Sequence, residues 1–183
     1  MPKTSQIVEL ETRNSKLETN DLARRARAIK LLLMDCDGVL TDGRITLLSD
    51  GDEQKTFHVR DGQGIVLFHQ ARLKTGIISG RTSSATERRA RELGMTYVRQ
   101  NVKDKLAAFK EIIAQAAVSA DESAYIGDDI GDIPIMENIG FAIAVADAAD
   151  QTKKAAHYVT ERNGGRGAVR EAIDLILRAQ SIS

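Results

Sequence analysis

Residues 30–43 read Lys30-Leu31-Leu32-Leu33-Met34-Asp35-Cys36-Asp37-Gly38-Val39-Leu40-Thr41-Asp42-Gly43. The apolar run that ends at Met34 is short and unbroken, the pattern of a parallel strand buried on both faces. It leads straight into two carboxylates two positions apart. Acids at the C-terminal end of such a strand lie where open α/β sheets place their ligands. In an extended chain Asp35 and Asp37 share a face, and the turn expected at Gly38 lets both approach one ion.

Outward from this stretch, apolar runs alternate with helical patterns. Further strands are expected at Thr75–Ile78, Thr96–Val98, Ala124–Ile126 and Phe141–Val145. Helices are expected over residues 62–72, 83–93, 104–117, 131–138 and 167–180. The alternation predicts an α/β fold with a doubly wound, mainly parallel sheet and helices on both faces. Arg44 to His58 interrupts it. Ile45-Thr46-Leu47-Leu48, the turn Ser49-Asp50-Gly51-Asp52 and the arm Glu53 to His58 read as a hairpin, because Asp-Gly is a strong turn signal. It is either a flap over the acidic motif or an ordinary edge hairpin. Residues 1–28 read as an extension, partly helical or frayed, with Asp21 capping a short helix through Ile29. The Arg24-Arg25-Ala26-Arg27 run is read mainly as a solvated face. Residues 29–183 carry no repeat or linker and read as one domain.

The bulk composition narrows the classes. The chain has 183 residues, 42% of them apolar, with 26 Lys+Arg against 26 Asp+Glu. Zero formal charge gives no general drive toward nucleic acid or a membrane surface. No apolar run approaches the ~20 residues a membrane-crossing helix needs. Cys36 is the single cysteine, so no intrachain disulfide forms, which suits a reducing cytoplasm. Between the two acids its side chain should point away from theirs into the core. His69 and His157 are isolated and are not read as metal ligands.

Two carboxylates repel an incoming phosphate dianion unless a hard cation intervenes, and Mg2+ favours carboxylate, water and phosphate oxygens. One carboxylate can then attack phosphorus, while the other protonates the leaving alcohol and later activates water. A calcium loop does not fit, since Gly38 stands at position 4 and Val39 at position 5 of the motif. Three later stretches add to the pattern. Ile77-Ile78-Ser79-Gly80-Arg81-Thr82 ends a strand in a hydroxyl and backbone N–H groups that can hold phosphate. Lys105 opens a helix and offers a point charge. Ile126-Gly127-Asp128-Asp129-Ile130-Gly131-Asp132 is a second acidic cluster after an apolar strand, able to complete a metal site.

Together these residues match the four motifs of the haloacid dehalogenase-like superfamily from about Ile29 to Gln180. The resemblance implies Asp35 as nucleophile, Asp37 as general acid/base, and Ser79 and Lys105 as phosphate holders. It implies Asp35, the carbonyl of Asp37, and Asp128 as magnesium ligands, with Asp132 supporting them from behind and Asp129 a weaker candidate. The stretches Asp37–Gly43, His58-Val59-Arg60-Asp61-Gly62, Gly127–Asp129 and Gly164–Glu171 resemble the 3-deoxy-D-manno-octulosonate 8-phosphate phosphatases more closely. That subfamily lacks a large cap domain, so the hairpin stands in its place. It forms homotetramers in which a neighbour closes each site, and acts in lipopolysaccharide biosynthesis. The resemblance implies that His58, Val59, Arg60, Asp61, Gly62, Arg81, Arg89 and Lys105, with Asp37, face the phosphorylated sugar acid. Arg166 either reaches a neighbouring site or simply makes a turn. Val66 departs from the basic residue of some relatives, which leaves a nine-carbon sugar acid open as an alternative substrate; Arg81 favours the eight-carbon one. A phospho-accepting receiver and a non-catalytic oligomerisation module are the readings of other classes.

Overall fold

The computed structural model describes residues 20–49 and 53–181. The expectations for residues 1–19, for the hairpin tip at 50–52 and for the last two residues lie outside them. Helix α1 covers residues 20–28 of this range. Asp21 lies within it rather than capping it, and its carboxylate pairs with Arg24 at 2.5 Å and Arg25 at 2.7 Å. The arginine run is not simply a solvated face. Arg25 donates to the carbonyl of Gly140 and Arg27 to that of Ala179, and Ala26 is fully buried, so α1 packs on the body of the fold.

Strand β1 is Leu31–Met34, and β2 (Thr46–Leu47) pairs antiparallel with β3 (Glu53–Gln54) as a separate hairpin. There follow α2 (Val59–Gln70), β4 (Lys74–Ile78), α3 (Ser84–Glu92), β5 (Tyr97–Arg99), α4 (Lys105–Ala116) and β6 (Ser123–Gly127). The chain continues through α5 (Ile133–Met136), β7 (Phe141–Ala144), α6 (Asp150–Ala155), β8 (Tyr158–Val159) and α7 (Ala168–Ser181). The sheet order is β5-β4-β1-β6-β7-β8, and every pairing is parallel. Right-handed crossovers running in opposite directions from β1 put α2 and α3 on one face and α4, α5 and α6 on the other. Helix α7 packs against α2.

β1 is the middle of this arrangement, and its four side chains are completely buried. Burying a leucine stabilises by roughly 1.5–3 kcal/mol, so three in four residues anchor the sheet centre. The register sets Met34 beside both Ile77 and Ile126. Asp35, Ser79 and Asp128 therefore emerge together at the same sheet edge. This end of the sheet is the topological switch point: the chain steps from β1 out to β4 and β5, then crosses back past β1 to β6 and on to β7 and β8.

Three expectations are corrected. The second hairpin arm ends at Gln54 rather than His58, and α2 begins at Val59 rather than residue 62. The expected range already held Gly62 and Gly64, poor helix formers that weaken the helical pattern at this end of α2. Close packing explains Gly64, where a Cβ would meet the Arg170 backbone at 3.3 Å; at Gly62 the nearest atom, Arg89 Nη2 at 2.3 Å, ends a flexible side chain that can move aside. Residues 131–138 begin as a 3-10 turn (Ile130–Asp132) before α5, and the short α6 and β8 were not anticipated.

Candidate active site

The chain after β1 wraps tightly around one carbonyl: the N–H groups of Leu40 and Thr41 both donate to Cys36 O, at 3.0 and 3.1 Å. This turn depends on Gly38, whose φ is +92°. A Cβ there would lie 2.0 Å from Asp128 Oδ2, so glycine is what lets the second acidic loop approach the first. Gly164 and Gly165 close the turn from behind. A Cβ on Gly164 would strike Gly38 O at 1.7 Å, Gly165 donates to Val39 O at 2.9 Å, and Arg166 pairs with Asp42 at 3.1 Å. Arg166 thus braces the turn within its own chain.

Among the described residues, Asp35, Asp128 and Asp132 bring carboxylate oxygens within 4.8 Å of one another. Lys105, the first residue of α4, donates to Asp35 Oδ2 at 2.9 Å and Asp132 Oδ1 at 2.7 Å. Asp132 is fully buried. Its Oδ1 also accepts from Tyr125 Oη at 2.7 Å, and its Oδ2 accepts from the N–H groups of Asp128 at 3.1 Å and Asp129 at 3.3 Å. Four donors fill the roughly four lone-pair sites of a carboxylate. Asp132 is thereby committed to holding its neighbours. The oxygens left for a cation belong to Asp35 and Asp128.

The electrostatics agree. Burial first, then the charges of Asp35 and Asp132, push Asp128 up to about 8. Burial also raises Asp35 to about 6, although Lys105 pulls the other way. For Lys105, burial is the largest single influence and lowers its pKa; the two carboxylates more than offset it and leave it raised. Asp128 Oδ1 is buried without a hydrogen-bond partner among the described residues. Carboxylates this reluctant to ionise, with an orphaned oxygen between them, fit a hard divalent cation held by Asp35 and Asp128.

The other predicted residues divide into groups. Ser79, nearly buried, sits at the end of β4 with its Oγ accepting from Arg81 N at 3.2 Å. Asp37 turns away from the three-acid cluster toward the hairpin, ion-paired to Lys55 and 3.7 Å from Arg81 Nε. Arg89 lies over Gly62 and 6.0 Å from the Phe57 ring centroid. His58 is the N-cap residue of α2, with no side-chain cap bond. Asp61 is buried and accepts from the N–H groups of Gly167 and Arg170, at 3.2 and 2.8 Å, so it fastens α7 to α2. Val59 is exposed. Arg60 lines a separate cleft of about 590 Å³ with Tyr158, Arg162, Arg170 and Arg178. The structure therefore does not bring Val59, Arg60 or Asp61 to the acid cluster of their own chain. Asp129 also stands apart, bonded to Ile130 N. Cys36 packs in the core against Thr86 Oγ1 at 3.2 Å, and burial pushes its thiol to about 12.

Sequence reading missed Tyr125, Glu53 and Lys55. Tyr125 is hidden in an apolar strand run. Glu53 and Lys55 are two apart on the hairpin arm, a spacing that puts both on one face of an extended chain.

Residues 98–173 match the pattern of haloacid dehalogenase-like hydrolases. Over 161 residues, 88% of this chain and 86% of the relative, the sequence is 46% identical to 3-deoxy-D-manno-octulosonate 8-phosphate phosphatase of Yersinia pestis. The chain belongs to the 3-deoxy-D-manno-octulosonate 8-phosphate phosphatase family. The member from Escherichia coli K12 is 44% identical over 87% of this chain and 85% of its own length. A crystal structure of the Moraxella catarrhalis member, in complex with magnesium ion, phosphate ion and a KDO molecule, superposes with a TM-score of 0.87. It is 41% identical and the match covers 88% of this chain and 93% of that one. The six-stranded parallel sheet agrees with that membership.

Proposed function

We propose that this chain is a magnesium-dependent phosphoric monoester hydrolase that releases phosphate from 3-deoxy-D-manno-octulosonate 8-phosphate, a step of lipopolysaccharide biosynthesis. The observation that carries the reading is the convergence of Asp35, Asp128 and Lys105 at the switch point, with Asp37 two residues beyond the nucleophile position. Asp35 and Asp128 are the side chains that would hold Mg2+, joined by the Asp37 carbonyl. When bound, the ion supplies positive charge that offsets the phosphate dianion.

Asp35 attacks phosphorus through a carboxylate oxygen and the ester P–O bond breaks, leaving an aspartyl phosphate. Asp37 gives its proton to the departing sugar oxygen, so the sugar acid leaves as a neutral alcohol at that position. Asp37, now a carboxylate, takes a proton from water as the water attacks the same phosphorus. Phosphate departs and Asp35 is restored. Throughout, Lys105 and the Ser79 hydroxyl donate toward phosphoryl oxygens, and Asp132 keeps Lys105 aimed. Arg81 and Arg89 are the cations available to the sugar carboxylate.

Residues 29–183 form the catalytic domain in this reading, acting in the cytoplasm as a homotetramer. Association through the hairpin is supported by apolar side chains left uncovered there and at the start of α2: Ile45 is 55% exposed, Leu47 75% and Val59 79%. Such a contact would let His58, Val59 and Arg60 serve a neighbour's site. Among the described residues no helix is long and apolar enough to cross a membrane.

The test is phosphate release from a panel of eight- and nine-carbon sugar-acid phosphates and neutral sugar phosphates, with Mg2+ and with chelator, alongside light scattering. The eight-carbon substrate should lead by kcat/KM, only with metal, and Asp35→Asn should bind substrate without turnover. Undiminished turnover in that variant would remove the covalent mechanism. A nine-carbon preference would move the substrate, and a monomer would remove the shared site.

A further inference from the structure

The hairpin is tied to the acid-base residue by a closed ring of four alternating charges. Lys55 pairs with Asp37 Oδ1 and lies 3.4 Å from Glu53 Oε1. Glu53 Oε2 accepts from Arg81 Nη2 at 2.7 Å, and Arg81 Nε lies 3.7 Å from Asp37 Oδ2. Lys55 is almost completely buried, while Arg81 is half exposed and reachable. The Arg81 hydrogen bond first, then Ser83 and the charge of Lys55, hold Glu53 below the usual glutamate range against the effect of burial, so it sits there as a carboxylate. Arg81 is one of the two cations, with Arg89, available to the sugar carboxylate. In the free protein Arg81 is already engaged, by a carboxylate from the chain itself.

We propose that Glu53 is a specificity residue that stands in for the substrate carboxylate on Arg81, so that an ester must bring its own carboxylate to displace it. The exchange is nearly balanced for a sugar-acid phosphate: one carboxylate leaves the guanidinium fork as another arrives. For an ester without a carboxylate the same opening strands Arg81 opposite nothing. Because Glu53 also shares Lys55, its release loosens the hold of the hairpin on Asp37 at the moment an ester arrives to need a proton. Discrimination then arises partly from what the wrong substrate cannot replace.

The inference rests on the proposed reaction, and its test separates the two. The readout is the ratio of kcat/KM for 3-deoxy-D-manno-octulosonate 8-phosphate to that for mannose 6-phosphate and for p-nitrophenyl phosphate. Glu53→Gln keeps the shape and removes the charge. It should improve the carboxylate-free esters and lower the ratio by about two- to fivefold, the range of a partly exposed ion pair. Glu53→Asp, which restores the charge, should recover much of the ratio. Amide hydrogen exchange over residues 44–57 gives a second readout that needs no turnover. Free 3-deoxy-D-manno-octulosonate should quicken it in the wild type, while mannose should not, and Glu53→Gln should already exchange fast. An unchanged ratio with unchanged exchange overturns the role of Glu53 while leaving the phosphatase standing. A wild type with no preference for the sugar-acid ester defeats the function itself.

Discussion

Asp128→Asn should stabilise the metal-free protein while abolishing turnover. Asp128 is raised from 3.8 to about 8 by burial and by the charges of Asp35 and Asp132. A carboxyl with a folded pKa above its unfolded one binds its proton more tightly when folded. Its ionisation therefore costs nothing below about pH 4, and the cost grows as pH rises toward 8. Linkage between these two values gives ~5 kcal/mol at pH 8 and ~1.7 kcal/mol at pH 5. Hydration of a side chain that is not fully buried reduces these to about 2 and 0.7 kcal/mol. At ~2–4 °C per kcal/mol for a protein of this size, Asn should raise Tm by about 4–8 °C at pH 8 and by only about 1–3 °C at pH 5. Asn keeps the shape, so packing terms largely cancel. The assay is calorimetry in chelator at both pH values, repeated with excess Mg2+. Metal should lift the wild type more at pH 8 than at pH 5, because its ligands must be deprotonated, and should lift the variant little. A variant that melts lower than wild type at pH 8 in chelator would refute the picture of mutually frustrated carboxylates. So would a gain that is equal at both pH values.

Gly38→Ala should reduce kcat/KM by at least about a hundredfold, because its methyl group would occupy the place of Asp128 Oδ2 at a backbone angle that alone costs ~1–2 kcal/mol; Mg2+-induced Tm shifts would show the lost cation site directly. Tyr125→Phe removes one of four donors to Asp132 and should lower stability by about 1–2 kcal/mol, measured by urea unfolding. It should lower kcat more than it raises KM. Asp61→Ala leaves the buried Gly167 N–H and the partly buried Arg170 N–H without acceptors and should cost ~1–3 kcal/mol; a Tm within 2 °C of wild type would show that this junction rearranges freely.

The parts of the fold that were readable from the chain were those where one physical signal dominated. Leu31–Met34 had to be a buried strand because nothing in it tolerates water, and the acids that follow it could only lie at its end. The order of Asp35, Ser79, Lys105 and Asp128 carried the acid cluster, because each follows an apolar run or opens a helix. The start of α2 was not readable, because two glycines near its beginning weaken the helical pattern, and Gly64 serves a close approach to Arg170 that local propensity cannot see. The partners of Asp37 were equally hidden. Glu53 and Lys55 look like ordinary hairpin charges, and only the folding of the hairpin back over the turn brings them to Asp37 and Arg81.

The pairing of β1 has a consequence for how this protein is made. Its central strand lies near the beginning of the chain, yet one edge waits for residues 74–78 and the other for residues 123–127, while the glycines that brace its following turn come only at 164 and 165. During synthesis, then, the most apolar strand leaves the ribosome long before its second neighbour exists. Long-range parallel pairing of this kind folds slowly, and unpaired strand edges invite aggregation. A chain released early, anywhere before β6, would expose a naked strand edge to its siblings, and its recovery would depend on chaperones rather than on its own sequence.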